Sequence, residues 1–140
     1  MLVLVLVLAV SWLAAPALAE SPTAGSAPCP VASEIAQRHL LGLWRASFDG
    51  LAQGATLLLE RHPELAESVR GAINRNGEKA LVAGDVDDGE FTLEESVDGV
   101  SIAATWSGTV IDSSCGTEIR GDWKVTKGGA ARSFVLRKLR

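Results

Sequence analysis

Tyrosine is absent from this chain, methionine occurs once, and 140 residues hold only two histidines and two cysteines. Neither His39 nor His62 stands in a His-x-x-x-His or His-Glu-x-x-His spacing, so a zinc site has almost nothing to be built from. There is no Gly-x-Ser-x-Gly elbow and no phosphate-cradling glycine loop. The sequence therefore predicts a protein that is not an enzyme and that carries no metal and no cofactor. A basic surplus is missing as well. Thirteen Lys and Arg against 17 Asp and Glu give a net charge of −4, which leaves no excess to displace counterions from phosphate. Nucleic acid is excluded as a partner.

One long hydrophobic run is present, from Leu2 to Leu18, and no Lys or Arg precedes it. It ends in Pro16-Ala17-Leu18-Ala19, with small residues at the two positions a signal peptidase reads. This predicts a signal peptide over 1–19, with an uncleaved membrane anchor as the alternative. Residues 20–32, rich in Ser, Pro, Ala and Gly, read as a flexible leader, and 33–140 as the folded domain. Cys29 follows Ser26-Ala27-Pro28, which is not a lipobox. Export with two cysteines predicts a Cys29–Cys115 disulfide in an oxidising compartment, hence a secreted or periplasmic protein.

From Leu43 onward the chain alternates. In Thr117 to Val125, Ile119, Trp123 and Val125 point one way, and Glu118, Arg120, Asp122 and Lys124 the other. That period of two marks a strand with one buried face. Asn76-Gly77, Asp88-Gly89, Asp98-Gly99 and Gly128-Gly129 are hairpin turn pairs. They help separate strands at about 43–48, 55–60, 67–75, 80–86, 90–95, 100–111, 117–125 and 131–139, after a short helix capped by Ser33 and ended by Gly42. Eight strands joined mainly by short turns predict an all-β fold, a single antiparallel up-and-down barrel of about eight strands. Ser68 to Leu93 and Thr105 to Leu136 echo each other, offset by 37 residues at both glycines, Gly71 to Gly108 and Gly84 to Gly121, all four on the apolar phase of their strands. Short strands and the lack of aromatic girdles favour an apolar interior over a lipid-facing wall.

The candidate site residues follow from the same phase. Trp44, Trp106 and Trp123 occupy apolar positions and either line a ligand space or fill the core. Glu95 shares the inward phase of Phe91 and Leu93 near a strand end, where it caps the mouth, contacts a ligand or pairs with a basic residue. Asp85, Asp87, Asp88 and Glu90 form an acidic hairpin, better read as a turn than as a calcium loop, whose charge suits a basic partner.

Gly42-Leu43-Trp44, the eight-strand meander and the basic last strand resemble the calycin-type barrels, which include lipocalins and avidins. The resemblance implies that Trp44 closes one end of the barrel against Arg137 or Lys138. A second resemblance, in size, export and class, is to small periplasmic inhibitors of proteases or lysozyme. Together these readings predict a non-catalytic binding protein. Its partner is an envelope or extracellular protein met through the loops of a filled barrel, or alternatively a small apolar ligand held against the tryptophans. A structural role in the envelope is the third alternative.

Overall fold

The computed structural model describes residues 28–140; the expected signal peptide and most of the leader lie outside them. Eight antiparallel strands close into a barrel in sequence order. They are β1 (Gly42–Phe48), β2 (Ala55–Arg61), β3 (Ser68–Arg75), β4 (Glu78–Asp87), β5 (Glu90–Ser96), β6 (Ala104–Val110), β7 (Glu118–Val125) and β8 (Arg132–Lys138). Closure comes from β1, which pairs with β8 as well as β2, setting Trp44 opposite Lys138 and Phe48 opposite Phe134.

The alternation seen in the sequence becomes the inside and outside of the barrel. Trp44, Ala46 and Phe48 of β1 point inward, as do Leu57 and Leu59 of β2, Val69 and Ile73 of β3, and Phe91 and Leu93 of β5. Trp106, Ile119, Phe134 and Leu136 complete a continuous buried core. At Asn76-Gly77 and Asp88-Gly89 both residues have positive φ, the turn geometry whose twist matches the flanking strands. Gly84 and Gly121 sit on inward positions where a Cβ would run into the carbonyl oxygen of Thr92 or Ser107 on the neighbouring strand. Glycine there lets neighbouring backbone come close as the wall curves.

Three expectations need correction. The helix expected from Ser33 to Leu40 is two single turns, a 3-10 turn at Ala32–Glu34 and α1 at Gln37–Leu40, and Ser33 does not cap either. The sixth strand, expected from 100, begins at Ala104. Asp98 gathers Val100 N–H, Ser101 N–H and the Ser96 hydroxyl around its carboxylate, and this local turn competes with the ladder over 97–103. Ile102, which falls in phase with Trp106 within the strand expected over 100–111, therefore lies exposed in that loop instead of buried.

The two ends of the barrel differ. The N-terminal segment covers one of them, tied by the Cys29–Cys115 disulfide to the β6–β7 connection. Ile35 and Leu40 are buried there, and the Trp44 indole N–H donates to the Leu40 carbonyl at 2.7 Å. Lys138 points inward beneath them, its Nζ 5.5 Å from the Trp44 ring centroid and bonded to the His39 carbonyl. Of the two basic residues considered for closing this end, it is Lys138 that does so; Arg137 points outward and pairs with Glu118. At the opposite end the β1–β2, β3–β4, β5–β6 and β7–β8 loops ring an open mouth.

Candidate functional site

Strict alternation brings three unusual side chains to the inner wall near the mouth: Arg75 at the end of β3, Glu95 near the end of β5 and Trp123 near the end of β7. Glu95 is 3 % exposed. A carboxylate so deep needs its charge and lone pairs satisfied, and four donors do this. Arg75 grips it end-on with Nη1 on Oε2 at 2.8 Å and Nη2 on Oε1. The Trp106 and Trp123 indole N–H groups converge on Oε1 at 2.7 and 3.0 Å. The acid thus pairs with an arginine, which is one of the roles expected for it.

Aromatic rings pack around this ion pair. Phe48 lies 5.3 Å from Trp106 and 5.2 Å from Trp123, and Phe134 meets Trp106 nearly edge-on at 4.7 Å. The Arg75 guanidinium carbon sits 5.0 Å from the Trp123 ring centroid and 5.5 Å from that of Phe48, within cation–π range. Charge, hydrogen bonds and rings therefore form one layer across the barrel. Trp106 is fully buried beneath it. Trp123, expected to be buried, is only half so, because its outer face forms part of the mouth.

Above the layer is a cup of about 540 Å³, open to solvent and lined by Phe48, Leu51, Gln53, Arg75, Glu78 and Trp123 among others. Arg75 keeps 29 % of its side chain exposed here. Of its five N–H donors two are spent on Glu95, and no other protein acceptor meets the remaining three among the described residues. Glu95 cancels its charge, and Glu78 adds a negative charge at the rim, so the cup offers hydrogen bonds and aromatic faces without a net positive field.

The structure brings Trp106, Trp123 and Glu95 together and leaves the other candidates elsewhere. Trp44 is wholly buried at the covered end. Asp85, Asp87, Asp88 and Glu90 are exposed, but on the β4–β5 hairpin beside the N-terminal segment, the end away from the cup. Asp85 accepts the Thr92 hydroxyl within that hairpin at 2.9 Å. Among the described residues no group of three or more His, Cys, Asp or Glu side chains is arranged to hold a metal ion, and no helix is long and apolar enough to cross a membrane. His39 accepts the Ala36 N–H at Nδ1, 2.9 Å away. Burial, the nearby Arg38 charge and Lys138 hold its pKa below the ordinary value. Arg75, Phe48, Leu51, Gln53 and Glu78 line the mouth without having been singled out in the sequence. Arg75 was legible there in principle, because it continues the inward phase of Val69, Gly71 and Ile73. No family model matches the chain, and no curated protein matches it either, so the site is read from its own chemistry.

Proposed function

We propose that this is a secreted or periplasmic, non-catalytic binding protein that engages a partner protein through the loops of its open end and seats one partner side chain in the cup. The observation that carries this is the layer of Arg75, Glu95, Trp106 and Trp123. It fills the barrel cross-section below the mouth, so binding has to occur above it, at a surface. Leu51 in the β1–β2 loop lines the cup and is exposed, and Val97 in the β5–β6 loop is exposed at the same end of the barrel. Apolar side chains clustered on loops around a polar recess are what a protein contact uses. The unspent Arg75 donors, with Glu78 and Gln53 nearby, suit a neutral hydrogen-bonding side chain laid against Trp123. The acidic hairpin, first considered as the partner-facing element, lies at the wrong end to share that contact.

A photo-reactive residue placed at Val97 is expected to cross-link the partner in the protein's own compartment, whereas one placed at Asp88 is not. Cross-linking from Asp88 alone would overturn the assignment. A second reading, a small ring-shaped ligand in the same cup, is favoured by the exposed face of Trp123 beside free donors, the pattern that holds sugars and other polar rings. It predicts saturable changes in tryptophan emission on adding saccharides or small aromatic amides. Such changes are expected to disappear in Trp123→Ala and to survive Trp44→Phe. A deep apolar ligand is disfavoured, because the interior below the layer is packed.

A further inference from the structure

We propose that Phe48, Trp106, Trp123 and Glu95 form a cation-binding cage that Arg75 fills as an internal ligand, and that a guanidinium group from outside the chain exchanges with it. This goes beyond the cup and does not rest on the partner reading, because it concerns the place that Arg75 itself takes. A cation held over aromatic faces, with a carboxylate to bond to, is a recurrent way of recognising cationic ligands. Here the Arg75 guanidinium carbon lies 5.0, 5.5 and 6.0 Å from the Trp123, Phe48 and Trp106 ring centroids. Both of its terminal nitrogens meet the buried Glu95. The group that sits there now defines the chemistry of the occupant.

Two features make Arg75 an occupant of the cage instead of one of its walls. The rings are held without it. The Trp106 and Trp123 indole N–H groups donate to Glu95 at 2.7 and 3.0 Å, and Phe48 packs 5.3 and 5.2 Å from the two indole rings. Without Arg75 those bonds and contacts stay, around a buried carboxylate that has lost its counter-charge. Arg75 also has an exit. It is the last residue of β3, keeps 29 % of its side chain exposed, and stands opposite Glu78 across the Asn76-Gly77 turn. Glu78 shares the inward phase of Ala80 and Val82, is exposed and lines the cup. It joins no ion pair among the described residues. Residues directly opposite each other on one face of a ladder lie within side-chain reach. Arg75 thus stands between two carboxylates, one buried and one wet, and turning from the first to the second opens the cage to the cup. Arg132, opposite Trp123 in the ladder, does not take the vacated place, because it is turned to the β1–β2 loop and donates to the Asp49 carbonyl at 3.3 Å. The tether makes Arg75 a strong competitor, with an effective concentration on the order of millimolar. A free guanidinium therefore exchanges weakly with the unaltered chain.

The test uses methylguanidinium chloride below denaturing concentrations, against sodium chloride of equal ionic strength. In Arg75→Ala, methylguanidinium is expected to raise the melting temperature and to shift the Trp106 and Trp123 indole signals saturably, leaving Trp44 in place. The melting shift reads the site even where the variant is only partly folded. Arg75→Ala combined with Glu95→Gln has no charge in the cage to neutralise and is expected to lose both responses. In the unaltered chain the same two indole signals are expected to move at a concentration at least about tenfold higher, because the tethered guanidinium has to leave first. Glu78→Gln is expected to raise that concentration further, by removing the place Arg75 turns to. A short capped peptide with one arginine separates the sources of the ligand. Equal response to peptide and bare cation supports the proposal with an arginine side chain of another protein, and response to the bare cation alone supports it with a small guanidinium compound. An Arg75→Ala variant that responded alike to methylguanidinium and sodium chloride would overturn the proposal. So would a response that survived Glu95→Gln, or indole signals of the unaltered chain that never moved.

Discussion

The two ends of this barrel solve the same problem in different ways. Each must stop the inner wall without leaving the core open to water, and each uses a tryptophan with a basic side chain over its ring. At the covered end the base is Lys138, its Nζ satisfied by a backbone carbonyl, and the Trp44 indole also bonds to backbone. At the mouth the base is Arg75, and both it and two indoles converge on a carboxylate. Bonding to backbone under a disulfide-tied segment buries Trp44 completely and covers much of Lys138. Bonding to a side chain leaves part of the Arg75 guanidinium and one face of Trp123 exposed at the cup. One end is a closure, and the other is a closure that also presents chemistry.

The sharpest way to break the comparison is at Glu95. Its replacement by Ala leaves Arg75 without a counter-charge and two indole N–H groups without an acceptor. This is expected to cost about 3–5 kcal/mol in denaturant unfolding, toward the lower figure because Arg75 can turn to water. Trp106→Ala, which removes the largest buried ring at this end, is expected to cost a similar 3–5 kcal/mol. Removing the disulfide with Cys29→Ser and Cys115→Ser is expected to cost about 2–4 kcal/mol and to shift Trp44 emission to the red while leaving the mouth tryptophans unmoved. Trp123→Ala is expected to cost less than Trp106→Ala, since part of its ring is already exposed.

The smallest effects separate the ends by pH. At the mouth loop, hydrogen bonds from Ser101 N–H, Val100 N–H and Ser96 lower the Asp98 pKa to about 2. A depressed carboxylate stabilises its loop above the unfolded value near 3.9, and that contribution fades as pH falls toward 2. At the covered end burial, the Arg38 charge and Lys138 hold the His39 pKa below its ordinary value in the folded state, while in the unfolded chain it protonates near about 6.5. Its contribution is therefore present above that value and lost as pH falls from there toward the lowered folded pKa. Amide exchange at Val100 and Ser101 should accelerate only in the lower window, and exchange at Ala36 already in the upper one.

The barrel was legible in the sequence because alternation and turn pairs are local signals that tertiary structure had no reason to override. Even the pairing of Cys29 with Cys115 followed from there being no other cysteine. Side-chain capture of backbone was harder to see. Asp98 draws the chain away from the ladder over 97–103, and nothing in an alternating apolar pattern shows that a carboxylate will do so. The site was half legible. Glu95 stood out as an inward acid, but its partner on β3 is twenty residues away, and only closure of the sheet shows that β3 and β5 aim at one point. The acidic hairpin was conspicuous in composition and lies at the other end, because charge density along a chain says nothing about which end of a barrel a turn occupies.

Indole proton signals test the central difference directly. In ¹⁵N-labelled protein with a soluble paramagnetic reagent, the Trp123 indole signal is expected to broaden, with those of Trp44 and Trp106 preserved. Glu95→Gln should shift the Trp106 and Trp123 signals together and leave Trp44 in place. Equal broadening of Trp44 and Trp123, or a Glu95→Gln variant that moved neither mouth indole, would show that the two ends do not differ in this way.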